Sequence, residues 1–522
     1  MQKPRLIYYN DAHHFHGKRI EPPASIHMLQ WPVDEVAGTG VDLLVLGLGY
    51  GDVYFHDSKV GRVIGQKKEV WENYIDWRIM RMVEEAAKLD TDQVREVTRR
   101  GRELGMKVFP SLKVQDVGQP GGQRCGLLKW EQGKEVCLGV VGRNEWAYDF
   151  ALESVRENKL TLIREILSDY EADGIELDFM FGDAYCKPDE TDAASILSEY
   201  MSQVRSTARE IGAQQDREIP VMVRVCLERE DNLAMGLDVE AWLADGSVDF
   251  VVGQDKRVLG DTQPMPEWLP VAANAAGGAA YYRPPRRVYD ERTGLPSIEM
   301  TRALSQTLDK GGYAGLYHGY MRWPFSDEEY RFLREAAFPE VTRRKPKRYY
   351  LQPREGVEGE PTTTPERQLP VALEEGKTER LGIWVADDVD GARADGEMRK
   401  PILTLRFSFF CIDDDVEFRF NGRVLAWEDA EITDERGLTM ATKLAGGMNI
   451  QAPLSMSAHW FRFRLERDEV RRGENTVEVE CHTKDGRAGF TRSLNGVEIL
   501  MRYRDMERPE GLGIDRVEPG GG

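Results

Sequence analysis

The stretch YEADGIELDFMFGDAYCK, residues 170–187, decides how the rest of the chain reads. It passes from a helix end through a glycine stop into a short strand and then a polar loop. The strand alternates. Ile175, Leu177 and Phe179 point one way, while Gly174, Glu176, Asp178 and Met180 point the other. Two carboxylates on one face of a buried strand need a partner or a task, because unpaired buried charge is costly.

Outward from that stretch, one unit recurs up to about residue 340: amphipathic helix, glycine, apolar strand. VREVTRRGRELG leads into MKVFPSL, LDVEAWLADG into SVDFVV, and TRALSQTLDKGG into YAGLYHGY. Parallel neighbours need such crossovers, so the pattern predicts a parallel sheet with helices around it. The strands are RLIYYN, VDLLVLGLG, KVFPSL, GIELDF, PVMVRVCL, VDFVVG, the segment around AAYY, and AGLYHGY. Eight units of this size predict an α/β fold, a (β/α)8 TIM barrel over residues 1–341. A doubly wound open sheet is the rival, but no GxGxxG follows the first strand.

Residues 342–380, charged and rich in Pro, Gly and Thr, read as a linker. The rhythm then changes to period two in LTLRFSFFCI, VEFRFNGRVL, HWFRFRLE, NTVEVECH and VEILMRYR. This predicts a C-terminal antiparallel β-sandwich over 381–505, followed by a disordered tail at 506–522.

Bulk composition narrows the function classes. A length of 522 residues calls for more than one domain, and the net charge of −20 argues against nucleic acid or an anionic membrane surface as partner. No apolar run is long enough to span a membrane. The N-terminus enters a strand within about five residues, leaving no room for a signal peptide; the expectation is a cytoplasmic protein or one whose leader was removed. The six cysteines show no CxxC spacing and read as free thiols, with a Cys125–Cys137 bridge as the alternative. No cofactor is called for, and self-association stays open.

In a barrel, one phase of each strand meets the helices and the other faces the axis. That rule turns Glu176 and Asp178 inward on strand four, and Met222, Arg224, Cys226 and Glu228 on strand five. On strand six it is applied with Phe250 and Val252 outside, leaving Asp249, Val251 and Asp255 inside or at the rim. The candidate catalytic carboxylates are therefore Asp178, Glu228, Asp255 and Glu176, with Glu176–Arg224 also readable as an internal ion pair. Two rim carboxylates, one of them kept protonated, are the equipment for glycosidic bond cleavage. Asp178 is expected to be the nucleophile or ion-stabilising base, and Glu228 or Asp255 the acid.

DGIELDFM resembles the DGxDxDxE strand of family 18 chitinases, with Glu176 in place of an Asp and Met180 where those enzymes carry the acid. A broader resemblance is to bacterial glycosyl-hydrolase-like barrels, the family-10-like hypothetical glycosidases. It is carried by FPSLKVQD, DGIELDF, VRV and GLDVEAWLADGSVDFVV, and covers roughly residues 5–340. Strand four is also similar to that of the α-galactosidase-like barrels, whose nucleophile matches Asp178. The resemblance implies a TIM-barrel enzyme that degrades polysaccharide or oligosaccharide. The C-terminal sandwich, through FRFNGRVL and RRGENTVEVE, resembles small β domains appended to such barrels.

Histidines 13, 14, 16, 27 and 56 crowd the start of the chain, and His318 lies on the last barrel strand. His14-x-His16 is similar to the HxH of metal-dependent amidohydrolase barrels, but strands five and six offer no histidine. The expectation is no metal. Asn10, Asp11, His13, Lys113, Arg224 and His318 are expected to bind sugar hydroxyls, with one histidine as auxiliary acid, and Gln115 and Asp116 are further candidates. Tyr282, Tyr320, Trp323 and Trp146 are expected to stack on pyranose faces, and Arg283, Arg286 and Arg287 to hold an acidic sugar or sulfate. The rival readings are a non-catalytic carbohydrate-binding barrel and a metal hydrolase built on the histidine cluster.

Overall fold

The computed structural model describes residues 3–140, 144–256, 260–285, 296–319, 321, 323–353, 368–434 and 458–504. Eight parallel strands close a barrel: β1 (Leu6–Asn10), β2 (Leu43–Gly47), β3 (Lys107–Lys113), β4 (Ile175–Asp178), β5 (Val221–Cys226), β6 (Phe250–Gln254), β7 (Ala279–Arg283) and β8 (Gly315–Gly319). Each pairs with its sequence neighbours, and β8 closes on β1 with Leu6 opposite Leu316. The α/β barrel expected from the helix–glycine–strand rhythm is the fold observed. Gly105 illustrates the rhythm's chemistry: it ends helix Gln93–Leu104 at φ 73°, a left-handed position that favours glycine.

Two cores follow from strand phase. Leu6, Tyr8, Leu44, Leu46, Val108, Ile175, Leu177, Val221, Val223, Val225, Val251 and Tyr282 pack towards the helices. Ile7, Tyr9, Leu43, Val45, Phe109, Met222, Phe250, Val252, Ala279, Tyr281 and Tyr317 fill the barrel. Gly174, below β4, leaves room for one of them: a Cβ there would sit 2.4 Å from the Phe109 ring.

The phase assigned to β6 is corrected by this packing. Phe250 and Val252 face the axis, so Gln254 follows them inward and Asp255 turns outward, where the Tyr282 hydroxyl donates to it at 2.9 Å. A parallel barrel strand is apolar on both faces, so alternation alone cannot fix which residues look inward.

After the barrel, two antiparallel sheets face each other across a shared core that includes Leu403, Phe407, Phe418, Phe461, Val477 and Ile499. One runs Lys347–Leu351, Ser493–Met501, Ile402–Ser408, Ala458–Arg464, Glu431–Asp434; the other Lys377–Val385, Gly473–Thr483, Asp415–Phe420, Arg423–Leu425. The first strand of each lies at least partly within the stretch expected to be linker. KRYYL was masked by its basic neighbours, although its tyrosines and Leu351 are buried. Residues 354–367 and the expected tail lie outside the described residues.

The sandwich is fastened to the barrel through that same strand. Tyr350 donates its amide to Thr262 Oγ1 at 2.8 Å and accepts from the Thr262 amide at 3.0 Å. Met300 packs on Tyr350, and Ala303 joins the sandwich core. All six cysteines are free thiols.

Candidate active site

The carboxyl ends of the barrel strands set one row of side chains side by side. Lys113 of β3 is in register with Asp178 of β4, and Asp178 with Arg224 of β5. One layer deeper, Ser111, Glu176 and Met222 are in register in the same way. Asp178 thus sits at the mouth between two cations, with Glu176 beneath it.

Asp178 is held at both oxygens. Oδ1 accepts the Met180 amide at 2.8 Å, as the cap of the short 3₁₀ turn Phe179–Phe181, and Oδ2 accepts from Arg224 Nη2. Arg224 is buried, with its guanidinium carbon 4.9 Å from the Tyr9 ring and 5.5 Å from the Tyr317 ring. Burial pulls its proton affinity down, but Asp178, Tyr317 and Glu176 outweigh burial and hold it well above the usual value.

Glu176 is fully buried. Its Oε1 accepts from Ser111 Oγ at 2.7 Å and the Tyr317 hydroxyl at 3.1 Å, with Arg224 Nε at 3.7 Å. Burial pushes its carboxyl up, Arg224 pulls it down, and the Asp178 charge adds to the rise. One guanidinium serves two carboxylates, and Asp178 takes the tighter contact. Glu176 therefore lies fully buried one layer beneath Asp178, tied to Ser111, Tyr317 and Arg224.

Lys113 is half-buried over the Phe181 ring at 4.5 Å and donates to the Gly49 carbonyl at 3.1 Å. Burial lowers its proton affinity, while the charges of Asp11 and Asp178 raise it, so both carboxylates lie within its field. Asp11 occupies the inward phase just past β1. It caps helix Ala12–Lys18 by accepting the His13 amide at 2.9 Å, and its other oxygen lies 3.4 Å from His14 Nδ1. Burial lowers His13 to about 4, which leaves it neutral at neutral pH. The ligand atoms of Asp11, His13 and His14 all lie within 4.8 Å of one another.

Several expected residues lie elsewhere. Asn10 and Tyr282 share the outward phase with Tyr8 and Asp255, and the His318 ring packs 4.6 Å from Phe332 of helix Asp327–Glu335. Glu228 caps Arg229–Ala234, and its charge, with that of Asp255, raises the hydroxyl of Tyr313, a residue of the helix-side core already raised by burial. Asp255 thus lies on the outward phase of β6 with Tyr282, away from the inward row that carries Asp178. Trp323 is exposed beneath the Arg19 guanidinium at 4.8 Å, and the Trp146 ring lies 4.7 Å from Lys134 Nζ. Gln115 and Asp116 are buried supports: Gln115 donates to the Tyr148 and Ala184 carbonyls, and Asp116 pairs with Lys129 at 3.1 Å. Tyr320, Arg286 and Arg287 lie outside the described residues.

Sequence reasoning missed Tyr9, Tyr317, Gln254 and Arg124, whose guanidinium lies 5.0 Å from the Tyr50 ring and whose charge helps lower His13. Arg283 reaches over Tyr9 and Tyr317 at 5.9 Å each and donates to Gln254, so four strands meet at this side of the mouth. The signal for Tyr9 and Tyr317 was alternation on β1 and β8, which puts both on the inward phase, where their rings stack at 6.0 Å.

No family model matches the chain, and no curated protein matches it. Solved structures do match. A cycloisomaltooligosaccharide glucanotransferase from Paenibacillus sp. is 10% identical over 95% of this chain, which spans 57% of that enzyme, at TM-score 0.35. An α-L-fucosidase from Vibrio sp. strain EJY3 is 9% identical over 95% of this chain and 96% of its own, at TM-score 0.39. A malate synthase from Haloferax volcanii is 13% identical over 65% of this chain and 75% of its own, at TM-score 0.33. Glycoside hydrolase barrels predominate among such neighbours, but likeness at this level carries no argument about reaction or substrate.

Proposed function

We propose that the chain is a glycoside hydrolase that cleaves a carbohydrate oligomer or polymer at the barrel mouth, with Asp178 as its central carboxylate. The observation that carries this reading is the placement of Asp178: at the carboxyl end of β4, held by Met180 N and Arg224, with Lys113 beside it. An ionised carboxylate fixed in this way stabilises positive charge developing at an anomeric carbon, or attacks that carbon, without having to reorganise. Each oxygen has a further lone pair beyond the hydrogen bond it accepts.

The proton donor we assign is His14, whose Nδ1 lies 3.4 Å from Asp11 and whose side chain is 39% exposed, with Lys113 within the field of both Asp11 and Asp178. This replaces Glu228 and Asp255 as acid, since both belong to the Tyr313 side. Lys113 and Arg283 would hold substrate oxygens, as cations do at sites of hydroxyl or acidic groups.

A second reading has one specific support: Asp11, His13 and His14 are close enough together to share a divalent ion. Against it, Lys113 and Arg124 bring positive charge to the same corner, which opposes a dication. Reducing-end release from a panel of plant, algal and bacterial glycans separates the two. Activity that survives chelation and is lost in His14→Ala supports the carboxylate mechanism. Activity abolished by chelation and restored by a metal supports the other.

A further inference from the structure

The segment between β2 and β3 carries aromatic side chains that the chemistry at the mouth does not use. Tyr74 and Trp77, one turn apart on helix Tyr74–Lys88, stack with ring centroids 5.8 Å apart and planes 29° apart. They are 62% and 37% exposed, and Val70 beside them is 72% exposed. Trp77, with Trp71, Met80, Lys68, Glu84 and Val70, lines a depression of about 440 Å³, and Tyr74 stacks on Trp77 beside it. Lys68 Nζ lies 5.1 Å from the Trp71 ring and bonds Glu72 at 2.9 Å.

A series of contacts links the depression to the helix that follows β1. Lys68 also reaches Gln123 at 3.5 Å, Gln123 donates to the Tyr50 hydroxyl at 3.2 Å, and the Tyr50 ring lies 5.3 Å from His13. The helix that carries Trp77 packs on the helix that carries His13 and His14: Ile75 closes over Gly17, where a Cβ would meet its side chain at 2.7 Å. Successive polar and aromatic contacts thus connect the Asp11–His13 corner with Lys68, which lines the depression together with Trp77.

We infer that this aromatic depression is a distal carbohydrate subsite, holding a pyranose ring of the same chain whose scissile bond lies at the barrel mouth. This rests on the glycosidase reading above. A pyranose presents an apolar C–H face rimmed by hydroxyls. An exposed aromatic plate flanked by ammonium and carboxylate groups matches both parts of that surface. The plate is also costly to leave in water, and exposed apolar patches of this kind mark binding surfaces. A site at this remove selects chains of several sugars over short ones.

The test is native gel electrophoresis of the full chain through gels cast with soluble xylan, mixed-linkage β-glucan, arabinogalactan, polygalacturonate or laminarin, with Trp77→Ala and Tyr74→Ala alongside. Both side chains are solvent-facing, and thermal melts check that each variant folds. The expectation is that at least one glycan retards the wild type and Asp178→Asn alike, and that each aromatic variant weakens the apparent Kd about tenfold. Retardation unchanged in both aromatic variants overturns the inference, as does no retardation by any of the glycans. A dimer lost in Trp77→Ala, with no glycan effect, assigns the patch to a second copy and also overturns it. Absence of hydrolysis with retardation intact sinks the reaction at the mouth and not the subsite.

Discussion

At Arg224 one guanidinium faces two carboxylates, and the outcome differs for each. Asp178 is ion-paired and buried at the carboxyl end of β4, while Glu176 lies below it with its proton affinity raised. Removing the cation with Arg224→Met leaves Asp178 buried beside an unpartnered charge. Breaking a buried pair from one side costs about 3–5 kcal/mol, so the variant should unfold at markedly lower urea. Glu176 has the opposite sign of pH dependence to a salt-bridged carboxylate. Its folded value lies above its unfolded one, so its contribution to stability is complete below the ordinary carboxylate range and is lost as pH rises through the folded value. Glu176→Gln should therefore lose less stability than the wild type between about pH 5 and about pH 8, as measured by urea unfolding. An equal loss in both would place the Glu176 proton elsewhere. Asp178 was legible in the sequence because strand four alternates cleanly. The identity of its partner was not, since Arg224 was read towards Glu176 and geometry gives it chiefly to Asp178.

At the scale of elements, long loops are held around the mouth by buried cations. Lys159, from helix Glu153–Asp169, pairs with Asp52 and donates to the Lys113 carbonyl at 3.3 Å. Lys129 donates to the carbonyls of Asp116, Gly118 and Trp146, and Arg62 to those of Gly122 and Cys125. These groups fix the stretches before and after β3, and so the position of Lys113. Lys159→Met strands Asp52 in the interior and should cost about 3–5 kcal/mol, while adding Asp52→Asn should recover much of it, a coupling that a double-mutant cycle in urea measures. Additive losses would show that the pair is not what holds the loops. Sequence reading took Gln115 and Asp116 as sugar-binding candidates because a buried aspartate or lysine has no local signature; only the partner, supplied by another element, allows it inside. The same limit misplaced Asp255, since β6 is apolar on both faces and either phase fits its composition.

For the whole molecule, the barrel and sandwich share a continuous seam through Thr262, Tyr350, Met300 and Ala303. Calorimetry should show one cooperative transition, and Thr262→Val, which leaves the Tyr350 amide without its acceptor, should lower its midpoint by the equivalent of about 1–3 kcal/mol. Two separated transitions in the wild type would contradict a fused body. The eightfold helix–strand rhythm and the later period-two strands made both folds legible, whereas the seam was hidden in a basic stretch whose tyrosines become apolar cover only on docking. The central claim is that Asp178 performs glycosidic cleavage at the mouth of this barrel. Its most direct test is the turnover number of Asp178→Asn against the wild type on the best glycan from the panel, with circular dichroism confirming the fold. The account predicts a loss of about a thousandfold or more, the scale expected when one preorganised charge is removed from a transition state. A variant within a few fold of the wild type would contradict it.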